Sequence, residues 1–174
     1  PPPVRPGPVA VNLSGTKAPI IWSHSMLKGP ADLSACPTRP GRLGLRSGGC
    51  MDQAGTTTEA YIFPDRPGAL AHYPHARRVG NLLFLSGLSS RRPDNSHAGV
   101  TIHADGRIDT DIEVQTAAVI DNMRILLERC GSSLGQVVDL TSFLVDMADF
   151  PGYNRVYNAH FDAKTGPTRT TVAV

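Results

Sequence analysis

Cysteine is scarce: Cys36, Cys50 and Cys130 are the only three in 174 residues, they form no CxxC, and one must stay unpaired. That argues against a disulfide-stapled secreted scaffold or a cysteine zinc site, and for a reducing compartment. No apolar run approaches the roughly 20 residues a membrane-crossing helix needs. Aromatic residues make up only 6% of the chain, without the basic–aromatic interleaving that stacks on bases. His97, His103 and His160 lack the paired spacing of metal ligands. Ser90 and Ser132-Ser133 have no histidine–acid arrangement that would make a nucleophile. No metal site, membrane span or nucleic-acid partner is therefore expected.

Acids are nearly absent from the first 50 residues, where Asp32 stands against six Lys/Arg. Residues 51 to 174 reverse the balance, with fourteen acids against eleven Lys/Arg, so the net charge of +2 hides a mildly acidic globular part. Residues 1 to 57 also hold nine of the fifteen prolines and eight glycines, with no sustained apolar period. Such a segment cannot bury enough surface to offset its ordering entropy. Residues 1–57 are thus expected to be a disordered or non-native extension, and 58–174 the folded domain. The extension is also rich in Arg and Ser, as transit peptides are. The cytoplasm is the expected address, with the mitochondrion as the alternative. The chain begins at Pro1 rather than Met, and its true start is expected upstream.

From Thr58 onward the pattern is that of packed elements. Tyr61-Ile62-Phe63 before Pro64-Asp65 reads as a strand entering a turn, and Leu82 to Ser86 as a buried strand. Gly99 to His103 reads as a short strand before Asp105-Gly106. Ile112, Thr116, Val119, Met123, Leu126/Leu127 and Cys130 recur at helical spacing and predict a helix over 109–130. Thr110 or Asp109 is the expected cap, and Gly131 the stop. Val137 to Val145 reads as a strand. A second helix is expected from Asp149, with Pro151 in its first turn and Tyr153, Val156/Tyr157 and His160/Phe161 on its apolar face. Thr165-Gly166-Pro167 should end it, and Thr168 to Val174 is strand-like. The order β-β-β-α-β-α-β implies an α+β domain with helices on one face of a sheet.

Several of these stretches resemble the RidA (YjgF) family of reactive-intermediate deaminases. They are Gly80-Asn81 through Ser86-Gly87, the helix with Gln115-Thr116 and Asp121-Asn122, Val138 to Phe143, Asp149 to Tyr157, and Gly166 to Val172. Within the family, Tyr73 to Gly80 and Ser89 to Asn95 look most like 2-aminomuconate deaminases. The resemblance implies a chorismate-mutase-like fold, a single layer of helices on a mixed sheet. It also implies a homotrimer, or dimer of trimers, with clefts between subunits, and no cofactor. The activity implied is hydrolysis of an enamine or imine to a 2-oxo acid and ammonia, here from 2-aminomuconate in tryptophan catabolism. Generic 2-iminobutanoate/2-iminopropanoate deamination and non-catalytic carboxylate or protein binding are the alternatives. Many relatives carry a closing strand with a water-orienting glutamate beyond the point where this chain stops, so a missing final strand is expected.

By the same resemblance, Arg169 should hold the substrate carboxylate, with Asn154 and Ser86 completing the catalytic set and Tyr73 and Gly87 binding substrate. A planar guanidinium suits that task because it offers a carboxylate two parallel hydrogen bonds. Thr171 stands where many relatives have cysteine, so thiol chemistry is not expected. A dicarboxylate needs a second cation. At least one of Arg77, Arg78, Arg91 and Arg92, with His75, is the expected source. Successive strand side chains point to opposite faces, so each arginine pair should send one member to the cleft and one to solvent.

Overall fold

The computed structural model describes residues 57–174 together with the backbone of two preceding strands, β1 (Met26–Lys28) and β2 (Leu45–Met51). Apart from these strands, the expected disordered extension lies outside the described residues. The strands themselves are unforeseen in the sequence, for a physical reason. A ladder is made by backbone groups, and β2 carries Gly48-Gly49 and shifts register between Ser47 and Cys50, so no alternation marks it.

β3 (Thr57–Ile62), β4 (Ala76–Val79) and β5 (Leu82–Leu85) join them in a five-stranded antiparallel sheet ordered β1-β5-β4-β3-β2. β4 and β5 form a tight hairpin in which Val79 faces Leu82, with Gly80 at φ +56° making the turn. β6 (Val100–Ile102) and β7 (Ile108–Thr110) form a second hairpin. β8 (Asp139–Leu144) and β9 (Thr168–Ala173) pair in parallel, which requires a crossover, and the second helix supplies it. The architecture is mixed α+β, as expected.

Helix α1 (Ile112–Arg129) buries Thr116, Val119, Met123 and Leu126/Leu127, the stripe read from the sequence. Its cap is neither Thr110 nor Asp109, because those residues are held in β7. Asp111 caps instead, its carboxylate accepting the Glu113 and Val114 amides at 3.0 and 3.1 Å. Helix α2 (Phe150–His160) starts as expected, with Pro151 in its first turn, and buries Gly152, Tyr153 and Tyr157. It stops at Phe161 rather than running to Thr165, and His160 is exposed rather than on the packed face. The helices meet closely at Gly152, where a Cβ would stand 2.6 Å from Ile112 Cγ2. The core lies between them and the strands, with Leu127, Leu144 and Ser142 fully buried.

Gly99 ties the second hairpin to α1. Its carbonyl accepts the Asp111 amide at 2.8 Å and the buried Gln115 Nε2 at 3.3 Å. Its φ is +66°, and a Cβ there would lie 2.6 Å from the Asp111 carbonyl oxygen, which is backbone and cannot move aside. Gly99→Ala should therefore destabilise the fold by about 2–4 kcal/mol, combining left-handed strain with overpacking. The shift of the urea midpoint measures it.

Candidate functional site

Where β5 leaves the sheet it opens a cleft. The strand exit supplies Ser86, Gly87, Leu88 and Ser89, the β3–β4 connection supplies Arg66 to Ala69, Tyr73 and His75, and α1 supplies Asn122 and Leu126. Arg91 closes the edge. Five sequence-expected residues thus share one cavity: Tyr73, His75, Ser86, Gly87 and Arg91.

Each is held by identifiable contacts. Tyr73 is 44% exposed, and its hydroxyl receives only the Leu70 amide, at 3.4 Å. Ser86 donates its hydroxyl hydrogen to the Pro74 carbonyl at 2.6 Å, which leaves its lone pairs as acceptors. The Gly87 amide has no acceptor among the described residues. His75 is fully committed: Nδ1 accepts the Phe63 amide at 3.2 Å, and Nε2 must therefore carry the hydrogen it gives the Pro67 carbonyl at 3.1 Å. It braces the cleft wall and has no free nitrogen for a ligand.

The two arginine pairs differ: Arg77 and Arg78 alternate across β4 but neither meets the cleft, whereas Arg91 and Arg92 divide between cleft and solvent as expected. Arg77 faces solvent. Arg78 turns to the core face, where it donates to the Cys130 carbonyl at 2.6 Å and to Tyr61 Oη at 3.2 Å, satisfying the end of α1. Neither lines the cleft. Of the second pair, Arg91 lines it and bonds the Gly68 carbonyl, while exposed Arg92 reaches only Ser96.

Arg169 and Asn154 are brought together elsewhere, between β9 and α2. The guanidinium lies over three rings, with its carbon 4.5 Å from the Tyr157 centroid, 5.4 Å from Tyr153 and 5.7 Å from Phe150. Asn154 Oδ1 accepts from Nη1 at 2.8 Å. No carboxylate among the described residues pairs with it. An arginine fixed by a neutral amide and aromatic faces keeps donors free for an incoming anion. Burial first, then the neighbouring Tyr153, raises the Tyr157 phenol above its ordinary value, which keeps that ring neutral beneath the cation. Thr171, two residues on along the same face of β9, has a buried hydroxyl without a partner among the described residues. In one copy of the chain the two halves are separate: the cleft carries Tyr73, Ser86 and Gly87, and Arg169 with Asn154 lies outside it.

Sequence reasoning missed Arg66 and Asn122. Arg66 donates to Asn122 Oδ1, and Asn122 Nδ2 donates to the Ser89 and Arg91 carbonyls at 2.9 and 3.2 Å. One α1 amide therefore ties both walls of the cleft. Nothing periodic marks Arg66, which stands alone between Asp65 and Pro67. Among the described residues, no three His, Cys, Asp or Glu side chains are grouped as a metal site would need, and no helix is long and apolar enough to cross a membrane.

Acid should loosen this region in two stages. His97, bridged to Arg91, is held below its ordinary value of 6.5, by burial first and then by the Arg91 charge. The unfolded chain thus takes that proton first, and stability is lost as pH falls below about 6.5. Asp65 is drawn from 3.8 to about 2, chiefly by hydrogen bonds from Arg129 at 2.5 and 2.6 Å. Its contribution is present above the unfolded value and lost as pH falls towards 2. Half-exposed, the pair should add at most about 1 kcal/mol. Denaturant midpoints between pH 3 and 8 test this: His97→Gln should flatten the upper slope, and Asp65→Asn the lower.

Fold and site together define a small α+β protein with a guanidinium seated on aromatic rings and a cleft without Asp or Glu in its lining. Comparisons with known proteins agree. The family model described as Endoribonuclease L-PSP matches residues 63–174. Protein HMF1 of Saccharomyces cerevisiae is 36% identical over 119 residues, 68% of this chain and 84% of that protein. Reactive Intermediate Deaminase A, chloroplastic, of Arabidopsis thaliana is 33% identical over 108 residues, 62% of this chain and 52% of that protein. The crystal structure of E. coli TdcF with bound serine matches with a TM-score of 0.53 at 27% identity, covering 66% of this chain and 84% of TdcF. The chain belongs to the endoribonuclease L-PSP family, the family of the RidA, YjgF and RutC proteins.

Proposed function

We propose that the protein is a cofactor-independent deaminase that hydrolyses the enamine or imine of an α-amino acid to the 2-oxo acid and ammonia. The carrying observation is Arg169, a guanidinium seated on three rings and fixed by Asn154, with no carboxylate of its own among the described residues. Its free edge is a receptor for the acid group beside the reacting carbon. That a relative was crystallised with serine, a small carboxylate, supports the same use of the fold.

The chemistry asked of the protein is modest. The enamine tautomerises to the imine, water adds to the imine carbon, and the C–N bond breaks as ammonia takes the transferred proton. Holding the carboxylate removes the entropic cost of orienting that carbon. Donors such as the Gly87 amide stabilise charge as it develops. Arg169 and Asn154 of one copy would meet Tyr73, Ser86 and Gly87 of a second across a subunit boundary, in a homotrimer or dimer of trimers. The compartment belonging to this reading is the cytoplasm.

For the substrate we propose 2-aminomuconate. It has two carboxylates, and a cleft with arginine and no acid in its lining supplies the second counter-charge. The runner-up substrates, 2-iminopropanoate and 2-iminobutanoate, would leave that charge unused. Ammonia release by the full chain from 2-aminomuconate beside 2-iminopropanoate is the test. Turnover of both with preference for the dicarboxylate is expected, and release from neither would remove the enzymatic reading in favour of a binding protein. As to nucleic-acid cleavage, the fourteen acids against eleven Lys/Arg in residues 51 to 174 oppose a phosphate backbone.

A further inference from the structure

The cleft at the end of β5 has an electrostatic imbalance that the proposed chemistry at Arg169 does not use. Two guanidinium groups, Arg66 and Arg91, line it, and no Asp or Glu does. Among the described residues their side chains are hydrogen-bonded only to neutral atoms: Asn122 Oδ1 for Arg66, the Gly68 carbonyl for Arg91. The two acids whose charge favours the Arg66 cation, Asp65 and Asp121, are each shared with another arginine. Asp65 is held by both terminal nitrogens of Arg129, and Asp121 by Arg124 at 2.6 Å. Burial, and then the charge of Arg129, disfavour the cationic form of Arg66. An entering anion would relieve that cost.

We propose that Arg66 and Arg91 form a second carboxylate seat, which selects extended dianionic ligands over monoanionic ones of the same length. Asn122 sets the seat, holding the Arg66 side chain with its oxygen and the Arg91 backbone with its nitrogen. Tyr73, nearly half exposed above the cleft, offers a face for a flat conjugated chain. Arg77 and Arg92 face solvent and Arg78 is bonded into the core, so none of the three contributes. Only the identity of the ligand rests on the deaminase reading; the seat itself does not.

Two unreactive ligands separate the questions: muconate, with an acid at each end, and sorbate, the same six-carbon diene with one. Calorimetric titration of the full chain should show tighter binding of muconate. In Arg66→Gln the muconate-over-sorbate preference should fall about ten-fold or more, since a charge-assisted hydrogen bond is removed from one ligand only. Arg66→Lys, which restores the charge without the fork, should recover part of it. A variant that had merely lost its fold would weaken both ligands together, and its melting temperature would report it. A preference unchanged in Arg66→Gln, equal losses for both ligands at an unchanged melting temperature, or no muconate preference in the parent protein would each overturn the seat. Arg66-dependent muconate binding without ammonia release from any substrate would uphold the seat and overturn the deaminase.

Discussion

Arg169→Ala should lower kcat/KM for ammonia release about 10²–10³-fold while leaving the fold intact. The figure follows from the bonds at stake. A guanidinium gives a carboxylate two charge-assisted hydrogen bonds, and losing them removes about 3–4 kcal/mol of transition-state binding. Little of this should appear as instability. Among the described residues the Arg169 side chain makes one hydrogen bond, to Asn154, and stacks on rings that stay packed against each other without it. Arg169→Lys is the sharper variant. It keeps the charge but not the planar fork or the stacking surface, so it should fall between the parent and alanine. Steady-state ammonia assays with melting curves alongside separate the two effects. An alanine variant within a few-fold of the parent would mean that the cation over Tyr157 is only a structural pair.

The largest loss of stability is expected at Leu127, on the inner stripe of α1. It is fully buried and lies in the same core cluster as Leu83, Leu140 and Leu144, which come from the strands. Leu127→Ala leaves a cavity that the surrounding sheet cannot close, at a cost of about 3–4 kcal/mol. In a domain of this size that lowers the melting temperature by roughly 10 °C. Leu127→Met keeps the volume and should cost less than about 1.5 kcal/mol. If both variants cost the same, chemistry at the helix rather than packing would be responsible. Scanning calorimetry distinguishes these outcomes.

The elements that could be read from the sequence are those whose side chains repeat with the backbone period. The α1 stripe through Thr116, Met123 and Leu127 is one, and the α2 face of Tyr153 and Tyr157 is another. Pro151 marked the start of α2 because a first-turn residue needs no amide hydrogen. Elements defined by pairing were harder. Ala76–Val79 is a strand with two consecutive arginines, and its inward positions are recognisable only once Arg78 is seen to cap α1. Ile108–Thr110 became a strand through the hairpin with Val100–Ile102, and this moved the helix cap one residue beyond Thr110 to Asp111. The strands before residue 57 carry no side-chain signal at all.

The same division runs through the candidate site. Tyr73, Ser86, Gly87, Asn154 and Arg169 stand in stretches that resemble a family, and the structure groups the first three around a cleft and joins the last two. Which arginine of each pair turns inward depends on strand alternation together with what lies on each face, and the latter is a tertiary fact. Arg66 was unreadable for a related reason: its partner Asn122 is 56 residues away, and neither residue breaks a local rule.

The most direct test of the account is a crystal structure of the full chain with muconate bound. The account predicts one carboxylate within about 3 Å of the Arg169 guanidinium, beside Asn154 of the same copy and facing Tyr73, Ser86 and Gly87 of a neighbouring copy. A structure in which every copy keeps Arg169 turned away from those three residues, with the ligand bound elsewhere, would contradict it.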